Sequence, residues 1–108
     1  MIHWQRVTEL RGEVGAENFD DVVELFIEEV QEVLARLHDS PALGTLEQDL
    51  HFLKGGALSL GFNGFGDLCQ AGERQSAAGQ AAAVDIDAII RAFETSRDAF
   101  QAGLADRL

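Results

Sequence analysis

The sequence predicts an all-α fold: an antiparallel up-down-up-down four-helix bundle with a short additional helix at the N-terminus. Three observations lead to this prediction. Proline occurs once in 108 residues, and no run of β-branched residues alternates with polar ones, so strand signals are nearly absent. Apolar residues recur at spacings of three and four over long segments, which is the pattern of amphipathic helices. The connections between these segments are short, and short connections favour antiparallel neighbours.

The first apolar stripe is short and ends at a glycine. Trp4, Val7, Leu10 and Val14 form the stripe, and Gly15 is the predicted stop. We expect Trp4 to pack this first helix onto the bundle.

The second helix is predicted to be long. Asn18 is its expected cap, and Asp20 and Asp21 stand in the first turn, where the helix dipole favours acids. The helix should end near His38 and Asp39. Its apolar stripe consists of Phe19, Val22, Val23, Phe26, Val30, Val33, Leu34 and Leu37.

The third and fourth helices are predicted on either side of Gly61. Thr45 and Gln48 have the spacing of a capping box that opens the third helix, and Asn63 is the expected cap of the fourth. The buried stripe of the third helix should be Leu46, Leu50, Leu53, Ala57 and Leu60. The inner face of the fourth should carry Phe65, Leu68, Cys69, Gly72 and Ser76.

The last helix follows a connection of small residues at 77–84 and is expected to be capped by Asp85. Arg97 falls on its stripe, and we expect the head group to extend to water. The stripe consists of Ile86, Ile89, Ile90, Phe93, Arg97, Phe100 and Leu104.

The composition argues against several classes of function. The 19 acidic and 8 basic residues give a net charge of −11, whereas nucleic acids and anionic membranes attract clustered Lys and Arg. No apolar run approaches the roughly 18 residues of a membrane span, and the N-terminus lacks the pattern of a secretory signal. One cysteine allows no internal disulfide, which favours a cytoplasmic location. We expect residues 1–108 to be a complete, monomeric, single-domain protein.

The segment HFLKGGALSLGF, residues 51–62, places two adjacent glycines inside the predicted third helix. Each glycine costs a helix about 1 kcal/mol relative to alanine. At about 100° per residue, His51 points away from the core stripe, and Lys54 and Gly55 share its face. Leu58 lies a turn further along the same face. We expect Gly55 to form a depression beside an exposed His51, where another protein can approach the imidazole.

A polar side chain from the fourth helix is predicted beside this histidine. If the two helices are antiparallel, either Gln70 or Glu73 can approach His51 from the flank of the fourth helix. A carboxylate that accepts a hydrogen bond from Nδ1–H would fix the tautomer and leave Nε2 free as a nucleophile. Lys54 could then pair with an anionic group on Nε2.

These residues resemble the signature of histidine-containing phosphotransfer (HPt) domains, His-x-x-Lys-Gly followed by small residues and a glycine. The phosphorylated N-terminal domain of chemotaxis histidine kinases is similar. Glu73 falls where the family often has a Gln or Glu that hydrogen-bonds the histidine, whereas Gly56 stands where Ser or Ala is common. The resemblance covers residues 51–73, and its remaining elements are Phe65, Leu68 and Cys69.

The resemblance implies a phosphorelay intermediate in two-component signal transduction. His51 would accept a phosphoryl group from an aspartyl-phosphate receiver domain and pass it to another receiver. Lys54 would stabilise the group and Glu73 would orient the ring. Partners would be response-regulator receivers or a hybrid histidine kinase. The residues expected to contact them are Gly55, Leu58, Phe62 and Gln70.

The chain shows no glycine-rich nucleotide loop followed by Lys-Ser/Thr, so we expect no autonomous kinase activity. We also expect it to bind no cofactor, the Mg²⁺ being held by the receiver.

Two other functions remain open. The bundle could be an adaptor that binds a receiver or kinase without being phosphorylated. It could also hold a metal if His3, His38 and His51 converged with acidic residues, but there is no Glu-x-x-His pair and His51 is predicted to point outward. Cys69 is expected to be a small buried hydrophobe.

Overall fold

Five α-helices make up most of residues 2–107, the part of the chain that the computed structural model describes. Within this range there is no strand, and the one bridge pairs Ile2 with Phe62, so the prediction of an all-helical protein is confirmed. The helices are α1 (Trp4–Val14), α2 (Phe19–Asp39), α3 (Leu46–Leu60), α4 (Asn63–Ala77) and α5 (Ile86–Arg107). Short 3-10 turns at Leu43–Thr45 and Ala81–Ala83 precede α3 and α5.

The core is built from the predicted stripes, and all five expected residues of α3 are buried. Leu68 was wrongly expected to face inward, since 39% of it is exposed. Phe65, Cys69 and Gly72 define the inner face of α4, and Leu68 falls at the edge of that face. The guanidinium of Arg97 lies 5.8 Å from the Phe93 ring centre and donates to Asp98. Its head group thus leaves the core, as predicted.

Phe62 is fully buried, which corrects the expectation that it belongs to an exposed docking patch. Gly61 ends α3 in the left-handed region at φ 75°, and this turn directs Phe62 into the core. Its ring meets Phe100 edge-to-face with centroids 5.4 Å apart. A Cβ on Gly61 would lie 2.7 Å from the carbonyl oxygen of His3, so both the φ angle and the close approach require glycine.

Trp4 fastens α1 to the rest of the fold, as the sequence predicts. Its indole stacks on Phe100 with centroids 6.0 Å apart. A Cβ on Gly103 of α5 would collide with the indole ring. Glycine at this position therefore provides the space that Trp4 occupies.

The cap of α5 is confirmed, because the Asp85 carboxylate accepts the backbone N–H of Ala88 at 3.0 Å. The capping box at Thr45 is wrong, because Thr45 makes no side-chain cap hydrogen bond. Its hydroxyl lies 3.3 Å from both the Ala42 carbonyl oxygen and Oδ2 of Asp49. Thr45 is the last residue of a 3-10 turn, which directs its hydroxyl away from the backbone N–H groups of α3.

Of two further cap predictions, one is right in position but not in its hydrogen bond, and the other is wrong by one residue. Asn18 stands at the cap position of α2, but its amide donates to the Val14 carbonyl oxygen at 3.0 Å instead of accepting from the helix. Asn63 is the first residue of α4, and the cap position belongs to Phe62. The left-handed turn at Gly61 starts α4 one residue earlier than the sequence pattern indicated.

Small residues let α3 approach α2 and α4 closely. A Cβ on Gly56 would lie 3.0 Å from Val30 of α2. On the other side, a Cβ on Gly72 of α4 would lie 2.9 Å from Leu50. The close approach of α4 brings its next residue, Glu73, to the surface of α3.

None of the helices described within residues 2–107 has both the length and the apolar character needed to cross a membrane.

Candidate functional site

His51 lies on the outer surface of α3, with 70% of its side chain exposed. Leu50 and Leu53 on the opposite side of the same helix are completely buried. The orientation predicted from the helical spacing is therefore correct. The imidazole lies away from the core and is accessible to a second macromolecule.

One carboxylate contacts both His51 and Lys54. Oε2 of Glu73 lies 2.8 Å from Nδ1 of His51, and Oε1 accepts from Nζ of Lys54 at 2.6 Å. Glu73 and Lys54 are mostly covered, with side chains 19% and 24% exposed. Of the two candidates on α4, Glu73 contacts the imidazole, and within the described chain Gln70 makes no hydrogen bond to it.

The charge on Glu73 determines the tautomer of the His51 imidazole. The hydrogen bond from Lys54 is the main cause that lowers the pKa of Glu73; partial burial opposes it, and the hydrogen bond to His51 lowers the pKa further. The carboxylate is therefore ionised at neutral pH and acts only as an acceptor. Nδ1 of His51 must then carry the hydrogen of this contact, and in the neutral imidazole the free lone pair is on Nε2.

Lys54 is held by Glu73 in this structure, so its ammonium is not free. The sequence predicted that Lys54 would pair with an anion on Nε2 of His51. The ion pair between Lys54 and Glu73 was not predicted. An incoming anion would have to compete with this contact.

The space beside the histidine is open on the α2 side. Among the described residues, no atom would lie within 4 Å of a Cβ on Gly55. A depression of about 360 Å³ runs along this side and is lined in part by His51, Gly55, Phe26 and Phe52. Phe52 is 47% exposed. Phe52 was not among the predicted site residues, although it is an aromatic residue off the apolar stripe and next to His51 in the sequence.

A smaller depression of about 230 Å³ lies on the α4 side of the site. Lys54, Leu58 and Gln70 line part of it, and Leu58 is 61% exposed. Of the four residues predicted to contact a partner, Gly55, Leu58 and Gln70 are accessible near His51 and Phe62 is not.

The other two histidines do not join this site. His38 contacts the neighbouring Asp39 through Nδ1 at 3.2 Å and lies at the end of α2. Across residues 2–107, no group of three or more His, Cys, Asp or Glu side chains is arranged to hold a metal ion.

Cys69 lies behind the site in the core. Burial, together with the charge of Glu73, raises the pKa of its thiol to about 12. The thiol therefore stays protonated and is a poor nucleophile in the folded protein.

A family comparison identifies the fold around this site. The model of the Hpt domain family matches residues 21–103. The chain belongs to the Hpt domain family. Hpt domains are histidine phosphotransfer modules of two-component phosphorelays; they interact with receiver domains and histidine kinases and are not themselves kinases. The match contains His51, Lys54 and Glu73. Comparisons with curated proteins and with solved structures found no match.

Proposed function

We propose that His51 is the phosphoryl acceptor of a phosphorelay, receiving the group from the aspartyl phosphate of one receiver domain and passing it to another. One observation carries the proposal. The imidazole is 70% exposed while its Nδ1 is held 2.8 Å from a carboxylate. This leaves Nε2 as an oriented nucleophile on a surface that a partner can reach.

The transfer is a displacement at phosphorus. Nε2 of His51 attacks the phosphoryl group, the new N–P bond forms, and the bond from phosphorus to the aspartyl oxygen breaks. The aspartate leaves as a carboxylate. Nδ1 keeps its proton throughout, and the negative charge of Glu73 stabilises the positive charge that develops on the ring.

Lys54 stabilises the phosphoryl group in this proposal. Its ammonium exchanges an oxygen of Glu73 for a phosphoryl oxygen, a movement within reach of a flexible lysine side chain. Such transfers depend on positioning and charge neutralisation more than on covalent participation of the protein. Glu73 then remains bonded to the ring, and Lys54 is shared between two anions.

The receiver supplies the remaining chemistry. It brings the aspartyl phosphate and holds the Mg²⁺, and the present chain contributes no cofactor of its own. The proposed docking surface surrounds His51 and includes Gly55, Leu58, Gln70 and Phe52, which line the two depressions beside it. The donor can be a free response regulator or the receiver of a hybrid histidine kinase.

We further propose that α2 to α5 form an up-down-up-down bundle, which acts as a single, monomeric domain in the cytoplasm. Contacts between neighbouring helices support the topology. Arg36 near the end of α2 pairs with Asp49 near the start of α3, and His51 in the first half of α3 contacts Glu73 in the second half of α4. Between α4 and α5, Gly72 lies near Ile89, and the earlier Phe65 meets the later Phe93. A lone buried cysteine is in keeping with a reducing compartment.

The proposal is tested by mixing the protein with a phosphorylated receiver domain and Mg²⁺. We expect an acid-labile, base-stable phosphoramidate on the wild-type chain and none on His51→Gln. His38→Gln is the matched control, because His38 is exposed and also has a carboxylate at Nδ1, and it should label like the wild type.

Two outcomes of this experiment contradict the proposal. One is equal labelling of wild type and His51→Gln. The other is no label from any of several receivers, although the receivers bind. The second result would instead identify an adaptor that binds receivers without accepting phosphate.

A further inference from the structure

A groove separate from the His51 site lies between α1 and the end of α5. Its volume is about 450 Å³, which is within the usual size range of small-ligand sites. Trp4, Val7 and Leu104 supply much of its apolar wall, and Arg11 and Arg107 also line it. It shares no residue with the depressions beside His51.

The two arginines of the groove stand in a strongly acidic chain. Its net charge is −11, and four of its eight basic residues contact carboxylates: Arg6, Arg36, Lys54 and Arg97. Within residues 2–107, neither Arg11 nor Arg107 makes an ion pair. The guanidinium of Arg107 instead lies 4.3 Å from the ring centre of Trp4. The groove thus presents two cations beside an apolar wall.

We propose that this groove binds a small amphipathic carboxylate. The apolar body of the ligand packs on Trp4 and Leu104, and its carboxylate pairs with Arg11 and Arg107. Guanidinium groups match the planar geometry of a carboxylate and donate two parallel hydrogen bonds to it.

Charge selects a small ligand over an acidic protein segment. The repulsion from a chain with net charge −11 grows with the charge on the ligand. A monoanion experiences little of this repulsion and can pair with the two arginines. A polyanionic protein segment is repelled along its whole length. An apolar molecule without charge would leave both guanidinium groups without an anionic partner.

The chain carries its own reporter for this site, because Trp4 is its one tryptophan. We expect millimolar octanoate to change the tryptophan fluorescence saturably, with the affinity checked by calorimetry. Octanamide, which has the same apolar body without the charge, should bind at least tenfold more weakly. Arg11→Gln and Arg107→Gln should each weaken octanoate binding about tenfold.

Arg91→Gln is the matched control, because Arg91 is an exposed arginine of α5 outside the groove. It should bind octanoate like the wild type, as should His51→Gln, which separates this site from phosphotransfer. Circular dichroism checks that each variant is folded. The proposal is overturned if octanoate gives no saturable signal, if octanamide binds equally well, or if Arg11→Gln and Arg107→Gln bind octanoate as Arg91→Gln does.

Discussion

At the scale of single residues, Glu73 is the centre of the site. Its two oxygens contact two different groups, Nδ1 of His51 and Nζ of Lys54. One side chain therefore sets the tautomer of His51, the proposed nucleophile, and holds the cation that a phosphoryl group would need. Removing the Glu73 carboxylate should therefore affect both the tautomer of His51 and the position of Lys54.

We expect Glu73→Ala to slow phosphorylation of His51 by about tenfold to a hundredfold. A hydrogen bond to a charged group contributes about 1.5–3 kcal/mol, and about 1.4 kcal/mol corresponds to a factor of ten in rate. The rate is measured by mixing each variant with a phosphorylated receiver. Glu73→Gln should retain more of the rate, because its amide oxygen can still accept from Nδ1. Wild-type rates for Glu73→Ala would show that the contact does not orient the ring.

The lowered pKa of Glu73 also predicts a pH dependence of stability. A carboxyl whose pKa is lower in the folded state stabilises the fold above its unfolded pKa, about 4.3 for glutamate. This contribution is lost as the pH falls through the folded pKa. We expect the difference in unfolding free energy between wild type and Glu73→Gln to be greatest near neutral pH and to shrink below about pH 4.3. Urea unfolding at several pH values measures it. A difference that grows towards acid pH would contradict the assignment.

Gly55 lowers the stability of α3 beside the proposed docking surface. Since a Cβ there meets no neighbour, Gly55→Ala should stabilise the protein by about 0.5–1 kcal/mol. Gly55→Leu should fill the depression and slow transfer at least tenfold while the protein remains as stable as wild type. Gly12→Leu is the control, because Gly12 also lies within a helix with open space around it, and it should transfer normally. Unimpaired transfer by Gly55→Leu would remove Gly55 from the docking surface.

At the scale of helices, the packing of α4 against α3 positions Glu73. We expect Gly72→Ala to destabilise the protein by about 1–3 kcal/mol, because the added Cβ would lie 2.9 Å from Leu50 and 3.2 Å from Val84. Urea unfolding measures the change. Gly64→Ala, on the same helix with open space around it, should not destabilise. An equal loss from the two substitutions would mean that the contacts of Gly72 with Leu50 and Val84 do not explain it, since alanine has the higher helix propensity at both positions.

The helices and most of their ends could be predicted from the sequence, whereas the capping contacts at Asn18, Thr45 and Asn63 could not. The spacing of apolar residues correctly predicted that His51 points outward and that Leu50 and Leu53 lie in the core. Periodicity carries no information about Phe62, because the left-handed turn at Gly61 breaks the helical register before it. The cap at Thr45 failed because a 3-10 turn came first, and such turns depend on how the chain approaches the bundle.

At the scale of the whole molecule, the contacts that form the His51 site and the arginine-lined groove join parts of the chain that are distant in sequence. Helical spacing left both Gln70 and Glu73 as candidates and the family resemblance favoured Glu73, but the contact itself depends on the packing of α4, which brings Glu73 to the ring. Arg11 and Arg107 stand near opposite ends of the sequence, and no local pattern predicts that they share a groove. Helical spacing determines which way a side chain points on its own helix, but its partner depends on how the helices pack.

The measurement that tests the central claim most directly is to find which imidazole nitrogen carries the phosphoryl group. Protein labelled with ¹⁵N in its histidine rings is phosphorylated by a receiver and studied by phosphorus and nitrogen NMR. We expect the phosphoryl group on Nε2 of His51, with Nδ1 still protonated and bonded to Glu73. Phosphorylation at Nδ1, or at His3 or His38, would contradict the account.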